Sequence, residues 1–196
     1  AEDLPRTQVP GRTKKWEKTI KICFLSRICE HKGLDILIDA LLQIQGYNIE
    51  FSIFGPIQEK EYWNTCEEKL KQIEISWTYK GDVPSEEVQS VLSTQDILVL
   101  PTKSENYGHV VFEALSVGCI PIISDRTPWS LVESWNAGYV VSRTQEAFSR
   151  ALTEYLSMSI EDKNEMVDHA VELAKYKVEQ SKMKTGYREI FELRGN

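Results

Sequence analysis

Residues 96–125 constrain the fold more than any other part of this 196-residue chain. Ile97 to Leu100 is a short, unbroken apolar run, the pattern of a strand covered on both faces. Pro101 ends it, and Lys103, Ser104, Glu105 and Asn106 form a polar loop. Gly108 opens a helix, Gly118 closes it, and Cys119 to Ile123 is a second apolar strand. Two buried strands joined through a helix run parallel, and the connecting loop then lies at the carboxyl edge of the sheet, where ligands of open α/β sheets bind.

The helix between them carries Val110, Val111, Phe112, Ala114, Leu115 and Val117, which predicts burial on nearly every side. Glu113 stands among them. An unpartnered charge there costs on the order of several kcal/mol, so Glu113 needs either a ligand hydroxyl pair or a nearby Arg or Lys. Glu105 lies in the loop just before the helix, whose free N-terminal amides suit an anion such as phosphate. The alternative for Glu105 is simple solvation.

Other segments repeat the pattern. Ile20 to Ser26 reads as the first buried strand, and the loop after it carries Arg27, His31 and Lys32 before Gly33. Leu34, Leu37, Ile38, Leu41 and Leu42 recur at helical spacing, with an end near Gly46. Arg27 and Lys32 therefore fall on the same edge as Glu105. Two cations there suit a diphosphate, Arg through its planar fork and Lys as a point charge; a solvated basic loop is the alternative. Phe51 to Gly55 is the second strand, and Gly55-Pro56 turns the chain tightly. A polar helix over 58–73 keeps Tyr62, Trp63, Cys66 and Leu70 on one face, and Ile75 to Tyr79 is the third strand. Ser85 is expected to cap the next helix, with Val88, Val91 and Leu92 inward. Thr127 as N-cap with Pro128 at the first helical position predicts a further start, and Gly138 to Val141 is the sixth strand. Beyond it one amphipathic helix carries Phe148, Leu152 and Tyr155, and a second is capped by Ser159. A last helix, over 175–193, has Met183, Tyr187, Ile190 and Phe191 at helical spacing. Residues 1–18, with Pro5, Pro10 and Gly11 among basic side chains, read as a linker. The alternation predicts an α/β fold: a Rossmann-like, doubly wound sheet of about six parallel strands with helices on both faces.

Composition narrows the function. A net charge of −7 and a pI near 5.1 argue against a broad nucleic-acid footprint but allow a local basic pocket. Cys23, Cys29, Cys66 and Cys119 lack zinc-site spacing and read as free thiols in a reducing cytosol. No apolar run reaches the ~20 residues of a membrane span, and no signal-peptide core is present. Neither a dinucleotide fingerprint nor a P-loop occurs. With no Asp-x-Asp pair either, no metal site is expected.

Glu105 and Glu113, separated by seven residues and read with Asn106-Tyr107-Gly108, resemble the E-x7-E motif of retaining nucleotide-sugar glycosyltransferases. More narrowly they resemble glycosyltransferase family 4, whose members have the GT-B fold. Ser26-Arg27 with Lys32-Gly33 resembles that family's diphosphate-binding segment, and the likeness extends over about residues 20–156. It implies that Arg27 and Lys32 bind the diphosphate and stabilise charge on the leaving group. It implies that Glu105 holds hydroxyls of the donor sugar, that the backbone amides of Asn106, Tyr107 and Gly108 place sugar and phosphates, and that Glu113 accepts hydrogen bonds from the ribose. Gly55 stands where the family often has Gly-x-Gly against the donor, and Val83 in the loop that meets the nucleobase. Two departures stand out: Pro56-Ile57 replaces the second glycine, and Arg126-Thr127-Pro128 replaces a glycine pair near the donor sugar, which points to altered donor selectivity. The implied reaction moves a hexosyl group from a UDP- or GDP-linked sugar to an acceptor hydroxyl with retention, through an oxocarbenium-like transition state. It needs no cofactor beyond the nucleotide sugar.

GT-B enzymes place their site between two Rossmann-like domains, and this chain resembles the C-terminal, donor-binding one alone. The expected organisation is a linker from a missing N-terminal domain over 1–18, a nucleotide-sugar-binding domain over 19–174, and a helix over 175–196 crossing toward the missing domain. Little transferase activity is expected of the fragment by itself. An apolar patch near the last helix would favour self-association. A cytoplasmic place in cell-surface polysaccharide or glycolipid synthesis follows from the resemblance, at the inner membrane face where the acceptor is a lipid. Two alternatives are half of a GT-B-type sugar-nucleotide epimerase and a non-catalytic nucleotide-binding or interaction module. The Glu105/Glu113 spacing disfavours the first, and nucleotide titration separates the second.

Overall fold

Six strands form one sheet in a computed structural model that describes Val9 and residues 19–192, with side chains as far as residue 182. They are β1 (Ile20–Leu25), β2 (Ile49–Phe54), β3 (Ser76–Gly81), β4 (Ile97–Leu100), β5 (Ile120–Ser124) and β6 (Tyr139–Val141). Their order is β3-β2-β1-β4-β5-β6, and every neighbouring pair is parallel. The helices are α1 (Leu34–Leu41), α2 (Lys60–Leu70), α3 (Val88–Ser93), α4 (His109–Ser116), α5 (Leu131–Ser134), α6 (Gln145–Ser157) and α7 (Ile160–Glu192). Helices α1, α2 and α6 pack together on one face; α3, α4 and α7 pack on the other, with α5 against α7. This is the doubly wound arrangement expected from the alternating pattern. The winding reverses between β1 and β4, so α1 and α4 lie on opposite faces and the loops leaving the two strands' carboxyl ends meet at the switch point.

Burial follows from position in the sheet. Every residue of β4 and β5 is buried, as unbroken apolar strands under two helical layers require. Edge strand β3 alternates exposed and half-buried residues, with Trp77 and Tyr79 inward. Phe24, Phe51, Phe112, Phe148 and Tyr155 are fully enclosed. At the amino edge, Lys21 N–H donates to the Asp96 carboxylate at 2.7 Å while Asp96 N–H donates to the Lys21 carbonyl at 2.8 Å. That pair of bonds sets the register of β1 on β4 at the end opposite the switch point.

Four local expectations change. The polar helix over 58–73 contracts to α2. Ser85 does not cap a helix: Glu87 N–H closes a turn on the Pro84 carbonyl, the Ser85 hydroxyl bonds the Glu86 carboxylate at 3.3 Å, and α3 starts at Val88. Thr127 is not an N-cap either. Its hydroxyl accepts the Trp129 N–H at 3.4 Å in a turn, because the buried Trp129 ring draws the chain inward before α5 begins. The two C-terminal helices are one, α7, since no glycine or proline interrupts residues 160–185. Ser159 does cap it, accepting the Asp162 N–H at 3.0 Å. Apart from Val9, the linker expected over 1–18 lies outside the described residues, as do the side chains of Met183, Tyr187, Ile190 and Phe191.

Candidate functional site

Four loops leave the carboxyl ends of β1, β4, β5 and β6, and side chains tie them together. The loop after β1 contains a short 3-10 turn, Glu30–Lys32, ending in Gly33. The loop after β4 runs from Pro101 to Gly108. Lys103 N–H donates to the His31 carbonyl at 2.8 Å, and the Lys103 ammonium bonds the Glu30 carboxylate at 2.6 Å. That contact holds the Glu30 carboxyl below its usual range. The His31 ring lies 3.0 Å from the Ser104 hydroxyl.

At the centre Lys32 Nζ meets Glu105 Oε2 at 2.6 Å, with the two side chains 9% and 23% exposed. Two residues 73 positions apart are thus brought together at the switch point of the sheet. An ammonium has three donors, so two of those on Lys32 remain for other acceptors. Arg27 is exposed at the same edge and donates from Nη1 to Gln58 Oε1 at 2.9 Å, in the loop after β2. It does not join the Lys32–Glu105 pair.

Gly55 supports Arg27 from beneath. Its φ is +124°, and a Cβ there would stand 1.9 Å from the Ser26 carbonyl oxygen and 3.3 Å from Arg27 N. Its N–H donates to the Gly81 carbonyl at 2.7 Å and its carbonyl accepts from the Tyr79 hydroxyl at 3.0 Å. Both of its backbone groups are therefore engaged within the protein. Val83, past β3, is half-buried against the core, and its N–H takes the Asp82 carboxylate at 3.0 Å.

Asn106, Tyr107 and Gly108 lead into α4. Their amides and that of His109 have no hydrogen-bond partner among the described residues. The Tyr107 ring is 51% exposed and stacks on His109 with centroids 5.7 Å apart. Gly108 is left-handed at φ +63°. One turn into α4, Glu113 is half-buried, and no ion pair holds it among the described residues. Burial alone pushes its carboxyl up to about 7. Of the two partners open to it in the sequence, a basic side chain is not found among the described residues.

Three residues bracing this edge were not singled out as site residues in the sequence. Arg143, just after β6, donates from Nε to the Pro101 carbonyl at 2.7 Å and from Nη2 to the Glu30 carbonyl at 3.2 Å. Trp129 donates its indole N–H to the Tyr107 carbonyl at 2.8 Å. Gln58 holds Arg27. The rule that loops after parallel strands share one edge places all three there, Gln58 after β2, Trp129 after β5 and Arg143 after β6, but their partners had no local signal. Among the described residues no group of three His, Cys, Asp or Glu could hold a metal ion, and no helix is long and apolar enough to cross a membrane.

Known proteins share the fold. Among curated relatives, the putative colanic acid biosynthesis glycosyltransferase WcaL of Escherichia coli K12 is 27% identical over 180 residues, 82% of this chain and 43% of that protein. Granule-bound starch synthase 1 of Pisum sativum is 31% identical over 121 residues, 60% of this chain and 19% of that one. The chain therefore spans less than half the length of these relatives. Among solved structures, Anabaena HepE in complex with UDP and glucose superposes with a TM-score of 0.75 at 17% identity, covering 87% of this chain and 49% of that one. The C-terminal domain of LpcC, a glycosyl transferase group 1 protein of Francisella tularensis, gives 0.73 at 20% identity, covering 81% and 86%. At such identities the likeness is one of fold, the Rossmann-like unit of GT-B proteins. Membership rests on the family model described as "Glycosyl transferases group 1", which matches residues 6–173. The chain belongs to the glycosyl transferases group 1 family.

Proposed function

We propose that this chain is the donor-binding part of a retaining hexosyltransferase of family 4, acting on a UDP- or GDP-linked sugar. The observation that carries the reading is the Lys32–Glu105 pair at the switch point, formed beside free amides at the start of α4. Lys32 and Arg27 neutralise the diphosphate through their remaining N–H donors and stabilise the charge that grows on the leaving oxygen. Glu105, oriented by Lys32, takes hydroxyls of the donor sugar. The amides of Asn106, Tyr107 and Gly108 align the sugar and the β-phosphate. Glu113 receives two ribose hydroxyls, which give its half-buried carboxylate the partners it lacks among the described residues. Gly55 keeps the floor beneath Arg27 clear of side chains, and Val83 borders the base.

The acceptor site belongs to a second domain, and the fragment alone turns over little or no substrate. The intact enzyme works in the cytoplasm on a cell-surface polysaccharide or glycolipid, and a lipid acceptor brings it to the membrane face. In isolation the unpaired surface favours self-association. Calorimetric titration with UDP-glucose, GDP-mannose and ADP-glucose tests the site. One of the three is expected to bind, with binding lost in Arg27→Ala and Glu113→Ala. No binding by the wild-type chain would leave an interaction module as the better description, and rapid turnover by residues 1–196 would contradict the two-domain requirement.

A further inference from the structure

Trp129 touches the donor loop without belonging to its charged set. It is 4% exposed, and its indole N–H reaches the Tyr107 carbonyl at 2.8 Å. The same nitrogen stands 2.6 Å from where a Cβ on Gly108 would be. Lys177 of α7 places its ammonium 5.2 Å from the ring centroid, a cation–π contact that steadies the indole. Two residues before Pro128, the Arg126 carbonyl accepts the Glu105 N–H at 3.2 Å. The segment after β5 thus grips the donor loop twice, at Glu105 and at Tyr107.

We propose that Trp129 is a positioning residue for the donor: its hydrogen bond orients the Tyr107–Gly108 peptide so that the Gly108 amide faces the sugar diphosphate. This rests on the donor site proposed above. The peptide is trans and planar, so its C=O and N–H point in opposite directions. With the carbonyl held on the indole, the Gly108 N–H is aimed away from Trp129, where it meets no partner among the described residues. Glycine is the residue at which a peptide rotates with least hindrance. Rotation here would strand a buried indole N–H without an acceptor, and this opposes the flip. The hydrogen bond and the tight contact at Gly108 therefore act together: the glycine permits the left-handed turn, and the tryptophan selects one of the two peptide orientations it allows.

Trp129→Phe tests this: it keeps an aromatic ring and removes the N–H donor along with part of the ring volume, and the monophosphate arm separates loss of the donor from general loosening of the loop. Affinities are measured by calorimetry for UDP-glucose, GDP-mannose and ADP-glucose, and by NMR titration for UMP, GMP and AMP, which lack the sugar and the second phosphate. The Gly108 amide resonance is followed in the same samples. In Trp129→Phe the nucleotide sugar is expected to bind about tenfold more weakly, the size of one lost charge-assisted hydrogen bond. The monophosphate should bind within about twofold of wild type, and the Gly108 amide should lose its ligand-induced shift. Unchanged nucleotide-sugar affinity, or equal weakening of both ligands with the Gly108 shift retained, overturns the positioning role. A wild-type chain that binds no member of either panel removes the donor site itself, and this proposal with it.

Discussion

Protonation of Glu113 offers the sharpest test of the proposed donor site. Burial lifts its carboxyl to about 7, and no cation among the described residues opposes the rise. Ribose hydroxyls that donate to the carboxylate favour its ionised form, so ligand binding drives the proton off. At pH 6.5 a group with a value near 7 is about three-quarters protonated, and at pH 8 about one-tenth. Binding is then expected to release about 0.7 proton at pH 6.5 and about 0.1 at pH 8. Affinity should fall about tenfold between pH 8 and pH 6 by the same linkage. Calorimetry in buffers of different ionisation enthalpy reads the proton directly. A nucleotide sugar is the right probe, because its phosphodiester groups do not titrate in this range. Glu113→Gln should bind more weakly at pH 8, with no pH slope and no proton release. Wild-type binding without proton release at pH 6.5, or release that persists in Glu113→Gln, would refute the argument.

The other predictions concern stability. Because Glu113 has a raised value in the fold, the native state holds an extra proton between pH 4.5 and about 7. Its favourable contribution is present in acid, declines as pH rises across that window and is gone above it, so Glu113→Gln should raise the thermal midpoint at pH 8 more than at pH 5. Lys32→Met and Glu105→Gln should each cost about 1–3 kcal/mol in urea unfolding, with a coupling of about 1 kcal/mol in the double variant. Strict additivity would mean that the 2.6 Å contact contributes nothing. Gly55→Ala should lose about 3 kcal/mol or more, since its Cβ meets the Ser26 carbonyl at 1.9 Å on a left-handed backbone. A denaturant midpoint equal to wild type would show that the turn relaxes around it.

The strands were legible because covered parallel strands carry continuous apolar runs, and β4 and β5 match theirs within a residue. The placement of Lys32 beside Glu105 was legible only as far as a shared edge; the contact itself depends on how β1 and β4 neighbour each other. The misread starts at Ser85 and Thr127 share one cause. Short polar side chains have several local partners, and a group one or two residues on decides among them; for Ser85 it is the Glu86 carboxylate. For Thr127 that group is the buried Trp129 indole, which draws the backbone out of helical course. Arg143 escaped notice because its partners are main-chain carbonyls of Pro101 and Glu30, and carbonyls leave no mark in residue type. The supposed break near residue 175 came from reading amphipathic faces separately, where nothing in the backbone interrupts α7.

The cross-bracing of the loops after β1, β4, β5 and β6 has one more consequence. A floor anchored from four strands is ordered before anything lands on it, so binding there costs the protein little chain freedom. Under the proposed function, discrimination among donor sugars is then expected of rim substituents such as Tyr107 and the exposed Arg126 side chain, neither of which supports a strand. Replacing either changes what the rim admits and leaves the foundation standing.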